Sequence, residues 1–141
     1  MQHVVDASVV AKWFLPEAHK DKADRLLSAF LNDKLELTAP NLLVAEVGNL
    51  LWKRSIKLRE ITPAQADEIY GNFLALKLRL SHSQTVATAA LRLAVEKNHP
   101  IYDMLYIALA QQTACKFVTA DEKLVNKFNG IFDCICWLGD L

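Results

Sequence analysis

Short apolar runs of strand length alternate along the whole chain with longer segments of helical periodicity, and few architectures accommodate that pattern. His3–Val5 reads as a first strand, followed at once by a short apolar helix from about Ser8 to Leu15 that Pro16 stops. Residues 18–32 place Ala23, Leu26, Leu27, Phe30 and Leu31 at helical spacing, with charges between them. Leu35–Ala39 reads as a second strand closed by Pro40, and residues 41–57 as a strongly apolar helix carrying Leu42, Leu43, Val47, Leu50 and Leu51. Thr62-Pro63-Ala64-Gln65 supplies a hydroxyl cap, a proline at the first helical position and a glutamine to close a capping box, opening a helix to about Lys77. Leu78–Ser81 is a weak third strand. Residues 84–97 are helical until Asn98-His99-Pro100, and a further helix covers about 101–113. Lys116–Thr119 is a strand, Asp121–Phe128 a short helix and Ile131–Leu138 a final strand. The expected fold is an α/β sandwich on a mainly parallel central sheet of about five strands. Helices outnumber the crossovers, so some must pair on one another outside the sheet.

A chain of 141 residues fits one domain, here residues 1–141, with room for a sizeable core. Hydrophobic residues make up 52% and charged residues 23%, which excludes a disordered chain. Sixteen Lys and Arg balance sixteen Asp and Glu. A nucleic-acid partner would therefore be held by the local distribution of charge rather than by its sum. The opening Met1-Gln2-His3-Val4-Val5-Asp6 lacks the cationic-then-apolar order of a secretory signal, and no long uncharged apolar run exists to cross a membrane. Cys115, Cys134 and Cys136 form no CxxC pair and no spaced zinc set. Cys134 and Cys136, two apart on the expected final strand, would sit roughly 6.5–7 Å apart with side chains parallel. That is the edge of disulfide range with poor aim, so reduced thiols and a cytoplasmic location are expected.

Four acids occupy positions that a plain solvated surface does not explain. Asp6 follows Val4-Val5 at the carboxyl end of the first strand, and Asp121 follows Phe117-Val118-Thr119-Ala120 at the end of a later one. In open parallel sheets ligands bind at that edge, although each acid is equally suited to cap the helix that follows it. Glu46 shares a helix face with Leu42, Leu43 and Leu50, where a carboxylate is costly unless paired with a cation or metal. Asp103 lies inside Ile101-Tyr102-Asp103-Met104-Leu105-Tyr106-Ile107-Ala108-Leu109-Ala110; its alternative role is a helix-start carboxylate favoured by the dipole. Four such acids suit a hard divalent cation, which prefers carboxylate and water oxygens and keeps positions open for a phosphate. Spacing alone does not establish that they converge.

The residues around these acids resemble those of a known family. Val4-Val5-Asp6-Ala7-Ser8-Val9-Val10-Ala11-Lys12-Trp13-Phe14, Pro40 ahead of Glu46, Tyr102-Asp103-Met104-Leu105-Tyr106-Ile107-Ala108-Leu109-Ala110 and Val118-Thr119-Ala120-Asp121-Glu122-Lys123-Leu124 look like a PIN domain. More narrowly they resemble the VapC-type toxins of prokaryotic toxin–antitoxin pairs, over nearly the whole chain. The resemblance implies a PIN-like α/β/α sandwich and an acidic quartet at Asp6, Glu46, Asp103 and Asp121. Ser8 and Thr119 match positions whose hydroxyls assist the metal or its waters. It further implies Mg2+- or Mn2+-dependent endoribonuclease activity with metal-activated water, a homodimer, and a cognate antitoxin protein whose tail blocks the site. The quartet is intact.

Lys12, Lys53, Arg54 and Lys57 are candidates to hold RNA, by their proximity in sequence to two of the acids; individually a solvated helix face accounts for them as well. His99, four residues before Asp103, is read as a loop histidine beside Pro100 rather than a general base. Trp13, Phe14 and Trp52 are read as core or subunit-interface residues rather than base-stacking platforms. A haloacid-dehalogenase-like phosphatase would need a second acid two residues after Asp6, where Ser8 stands. A receiver-like domain would need its acidic pair and lysine arranged differently. The remaining alternative is a PIN-fold module that binds RNA or protein without cleaving, which the intact quartet disfavours.

Overall fold

The structure is a computed structural model that describes residues Met1–Leu141. Five strands, β1 (Gln2–Val5), β2 (Glu36–Pro40), β3 (Arg79–Ser81), β4 (Lys116–Thr119) and β5 (Ile135–Trp137), form one sheet in the order β3-β2-β1-β4-β5. Every pairing is parallel, with Val4 opposite both Thr38 and Phe117. Seven α-helices connect them: α1 (Ala7–Phe14), α2 (Lys20–Leu31), α3 (Leu42–Trp52), α4 (Pro63–Ala75), α5 (Ala87–Lys97), α6 (Ile101–Gln112) and α7 (Glu122–Lys127). Parallel strands need crossover connections, and helices packed on the sheet supply them here, giving the expected α/β sandwich. Because β1 is central and the chain leaves it first toward β2 and later arrives at β4, the strand order reverses beside β1. Such a reversal opens a crevice at the carboxyl ends of the strands.

Local chemistry sets the element ends. Asp6 caps α1 through Ser8 N and Val9 N, and Pro16 follows the last residue of that helix turn. Trp13 is buried and its indole Nε1 donates to Ala23 O at 2.9 Å, which locks α1 onto α2. The capping box of α4 forms as its sequence dictates: Gln65 N donates to Thr62 Oγ1 at 3.1 Å and Thr62 N to Gln65 Oε1 at 2.8 Å. Helix α6 is buried continuously from Met104 to Ala110 and packs against β1, β2 and β4. That explains why its periodicity is weak: it meets neighbours on every side. Twenty-nine buried residues from all layers make one hydrophobic cluster.

Three boundaries differ from the sequence expectation. The helix expected over 41–57 stops being α-helical at Trp52 and ends in a π-helical turn, Lys53–Lys57. There Leu58 N reaches back five residues to Lys53 O at 2.9 Å, and Glu60 N takes the Arg54 carbonyl, so tertiary anchoring of Arg54 overrides the α-helical ladder. The segment expected to be helical from 84 begins as a 3₁₀ turn, Ser83–Thr85, tied to the end of β2 by Ser83 Oγ on Asn41 Oδ1 at 2.6 Å. The final strand is only Ile135–Trp137, because its one partner, β4, is four residues long; Ile131 and Phe132 turn instead behind Gly130, which has positive φ. Cys134 therefore precedes the strand, and all three cysteines are free thiols.

Candidate active site

Parallel strands all end at one edge, and helices that return from it start there, so chain direction alone delivers the four acids to one side of the molecule. Asp6 is the residue after β1, Asp121 is the second residue after β4, Glu46 is in the second turn of α3, and Asp103 is in the first turn of α6.

Asp6 sits deepest. Its Oδ1 accepts Ser8 Oγ at 2.5 Å and the amides of Ser8 and Val9 at 3.1 and 3.3 Å, and its Oδ2 accepts Thr119 Oγ1 at 2.5 Å. Ser8 Oγ in turn accepts Ala120 N at 2.9 Å, and Thr119 Oγ1 accepts Asp121 N at 3.2 Å. The hydroxyls of Ser8 and Thr119 thus stitch the end of β1 to the end of β4 and aim both of their protons at one carboxylate. Burial, with a smaller contribution from the nearby Asp103 charge, pushes the Asp6 carboxyl up from 3.8 to about 6 against these hydrogen bonds.

Glu46 has no cation within ion-pair reach. Its partner is the phenol of Tyr106, which is almost wholly buried and donates to Glu46 Oε1 at 2.5 Å. The Glu46 carboxyl is raised, chiefly by burial; the Tyr106 hydrogen bond opposes the shift and the Asp103 charge adds to it. Tyr106 itself is pushed far above its ordinary value by burial and by Glu46, with Asp6 and Asp103 contributing. Asp6, Glu46, Asp103 and Tyr106 therefore share one electrostatic neighbourhood. Asp103 contacts His99, whose Nε2 lies 2.7 Å from its Oδ2.

Asp121 stands apart. Its Oδ1 accepts the amides of Lys123 and Leu124 at 3.1 and 3.2 Å and caps α7, the role that its place before a helix equally allowed. It joins the others only through its own amide on Thr119. No three acidic, histidine or cysteine side chains are gathered tightly enough to grip a metal ion on their own.

Of the cations near the acids, Lys12 is buried and paired with Glu17 at 3.3 Å rather than lying on a solvated face. Arg54 is held by Glu17 and, at 2.8 Å, by Glu60, while Lys57 lies over the Trp52 ring. Lys53 is exposed and makes no ion pair. Glu46, Lys53, Arg54 and Glu60 line an open cleft of about 950 Å³ that continues from the acids. Two partners were missed in the sequence, Tyr106 for Glu46 and His99 for Asp103. The four-residue spacing of His99 and Asp103 was the visible signal for the second; nothing local links Tyr106 to a residue sixty positions earlier.

The PIN domain model matches residues 3–128 of this chain. Ribonuclease VapC3 of Pyrobaculum aerophilum is 35% identical over 131 residues, covering 91% of this chain and 95% of the relative. Exonuclease VapC9 of the same organism is 27% identical over 137 residues, covering 94% and 90%. Among solved structures, the P. aerophilum protein PAE2754 superposes with a TM-score of 0.67 at 24% identity, over 99% of this chain and 94% of that one. Mycobacterium tuberculosis VapC20, described as a Sarcin-Ricin loop cleaving toxin, superposes with a TM-score of 0.62 at 18% identity, over 84% and 87%. Those two structures speak to the fold, and they agree with the all-parallel sandwich. With a family model spanning the acidic edge from β1 through α7, and a relative this similar over nearly its full length, the chain belongs to the PIN domain family.

Proposed function

We propose that this chain, acting as a single domain over residues 1–141, is a divalent-metal-dependent endoribonuclease and the toxin of a toxin–antitoxin pair. The observation that carries the reading is that Asp6 and Glu46, delivered by distant stretches of chain, both feel the charge of Asp103, with no lysine or arginine on any of the three. An ordinary fold would pair or protonate such groups. The all-oxygen donor set suits Mg2+ or Mn2+, and Mg2+ in particular is commonly held by one or two carboxylates with water and substrate phosphate completing its shell. The absence of a preformed three-residue cage is therefore compatible with it.

A divalent cation bound here would supply positive charge to the phosphodiester and to the attacking water. The chain's own residues do the rest. Ser8 and Thr119 hold both oxygens of Asp6 in one orientation, and Tyr106 does the same for one oxygen of Glu46. Asp103, with 37% of its side chain exposed, faces water and incoming substrate. Asp121 fixes the first turn of α7 and completes the acidic edge. Lys53 is the cation free to meet an RNA phosphate along the cleft; Lys12 and Arg54 reach RNA only by exchanging their carboxylate partners. The named activities of ribonuclease VapC3 and of the toxin VapC20 support RNA as the substrate class, and the open cleft beside Glu46 gives a strand room to lie across the acids, as cleavage within it requires. The same relatives support a cognate antitoxin and a cytoplasmic site of action; no helix is long and apolar enough to cross a membrane. A homodimer is supported by exposed Trp52, Ile56 and Leu58 along one stretch, and light scattering at tens of micromolar tests it.

The decisive experiment incubates purified protein with structured RNA in EDTA, Mg2+ or Mn2+, beside Asp6→Asn, Glu46→Gln and Asp103→Asn, and maps new 5′ ends. Metal-dependent internal cleavage, nearly abolished in each variant, is expected. Full activity in excess EDTA refutes the mechanism, and binding without cleavage under every metal leaves a non-cleaving PIN module.

A further inference from the structure

His99 is placed with unusual definition for a residue between two helices. Asn98 before it adopts left-handed backbone geometry (φ 50°), Pro100 follows it, and its own amide donates to Ala94 O at 3.0 Å. The imidazole packs edge-on against Phe128, ring centroids 5.1 Å apart, and only 13% of the side chain is exposed. Both ring nitrogens are occupied: Nε2 lies 2.7 Å from Asp103 Oδ2, and Nδ1 lies 2.7 Å from Lys127 Nζ.

The chemistry of the lysine decides which nitrogen carries the hydrogen. An ammonium group has only donors, so Nδ1 must present its lone pair to Lys127. The ring hydrogen then sits on Nε2 and points at Asp103. The contact with Asp103 is thus a directed N–H···O hydrogen bond. It leaves Oδ1 of Asp103 free of any hydrogen bond within the chain. Lys127 is the last residue of α7, the helix whose first turn is capped by Asp121. One six-residue helix is therefore tied to Asp121 at its start and, through His99, to Asp103 at its end.

We propose that His99 is a positioning residue for Asp103, its tautomer set by Lys127, so that the Lys127–His99–Asp103 chain fixes which carboxylate oxygen of Asp103 is offered to the divalent cation. This rests on Asp103 being a working carboxylate of the nuclease site. Outer hydrogen bonds of this kind orient a ligand before the cation arrives, and their loss typically weakens metal affinity or activity about 10–100-fold.

Three measurements test it on the intact chain. Long-range proton–nitrogen NMR of the metal-free protein reads the His99 tautomer directly: the Nε2–H form is expected in the wild type, with the Nδ1–H form gaining in Lys127→Met. Mn2+ titration followed by electron paramagnetic resonance, with kcat and KM on RNA, then compares His99→Leu, which keeps apolar packing on Phe128, with His99→Gln, whose amide places an N–H near the Nε2 position. The leucine variant is expected to bind Mn2+ about 10–100-fold more weakly and to lose kcat with KM for RNA unchanged. The glutamine variant is expected to recover most of both. A wild-type Nδ1–H tautomer, Mn2+ affinity unchanged in His99→Leu, or a glutamine variant as impaired as the leucine one overturns the proposal. Asp103→Asn separates the two levels: if it loses Mn2+ while His99→Leu keeps it, only the positioning role falls. If Asp103→Asn itself binds Mn2+ like the wild type, the assignment of Asp103 to the site falls and the positioning role with it.

Discussion

Replacing Asp6 by Asn should make the metal-free protein more stable near neutral pH, although Asp6 makes more hydrogen bonds than any other acid of the cluster. The folded state raises this carboxyl from 3.8 to about 6, chiefly because burial penalises the charged form. Each unit is worth about 1.36 kcal/mol, so keeping Asp6 ionised at pH 7 costs the fold about 3 kcal/mol. The sign follows from proton binding: a raised folded pKa means that the native state holds more protons than the unfolded chain between those two values. The stability Asp6 contributes is complete below about pH 4 and is lost as pH rises through about 6. Asn carries no charge, still caps a helix as well as Asp, and keeps one oxygen and one N–H to share among Ser8, Thr119 and the α1 amides. Allowing for weaker bonds to a neutral amide, a net gain of about 1–3 kcal/mol at pH 7.5 is expected, or roughly 3–9 °C in melting temperature for a chain of this size. Calorimetry and urea unfolding in EDTA from pH 4 to 8 read both quantities. The advantage of Asp6→Asn should vanish near pH 4 and grow through pH 6. Mg2+ at ten times its dissociation constant adds roughly 1.4 kcal/mol to the wild type by linkage, and should add much less to the variant. If Asp6→Asn is less stable than wild type by more than about 1 kcal/mol at pH 7.5, the cap and hydroxyl cage outweigh desolvation and the reasoning fails. Equal gains from Mg2+ would remove Asp6 from the metal site.

Tyr106→Phe removes the only hydrogen bond to Glu46 and should destabilise the protein by about 1–3 kcal/mol at neutral pH, with a smaller loss at pH 4 where Glu46 is protonated; denaturant unfolding at both pH values checks this. Asp121→Ser keeps a capping oxygen for α7 and should stay within about 0.5 kcal/mol of wild type, whereas Asp121→Ala should lose about 1 kcal/mol. Cleavage by the serine variant separates the roles: near-complete loss of activity is expected, and full activity would make Asp121 a cap and nothing more. Gly139→Ala would drive a methyl into the Trp137 ring, which already packs edge-on with His19; a loss of about 1–3 kcal/mol and a changed tryptophan fluorescence spectrum should follow.

Much of this protein is legible in the order of its residues, because the relevant physics is local. Alternating apolar runs and helical periods specify strands and helices, Thr62-Pro63-Ala64-Gln65 specifies a helix start, and Pro16 and Pro100 mark boundaries whatever surrounds them. The same locality sends Asp6 and Asp121 to the ends of strands, and a carboxylate among leucines, as at Glu46, marks a group that needs a partner. What that partner is was not legible. The hydrogen bond that Glu46 makes within the chain comes from a phenol on α6, sixty residues away, which only the packing of α6 against the sheet brings near. Lys12, expected on a solvated face or against RNA, is buried and paired with Glu17, a partner the chain turn after α1 supplies. Boundaries went astray for the same reason. The π-helical turn at Lys53–Lys57 and the three-residue β5 answer to Arg54's partners and to the length of β4, neither of which is encoded within the segment itself. Sequence determined which groups are unusual; the fold decided what each one faces, since hydrogen bonds and desolvation depend on neighbours in space and not on neighbours in the chain.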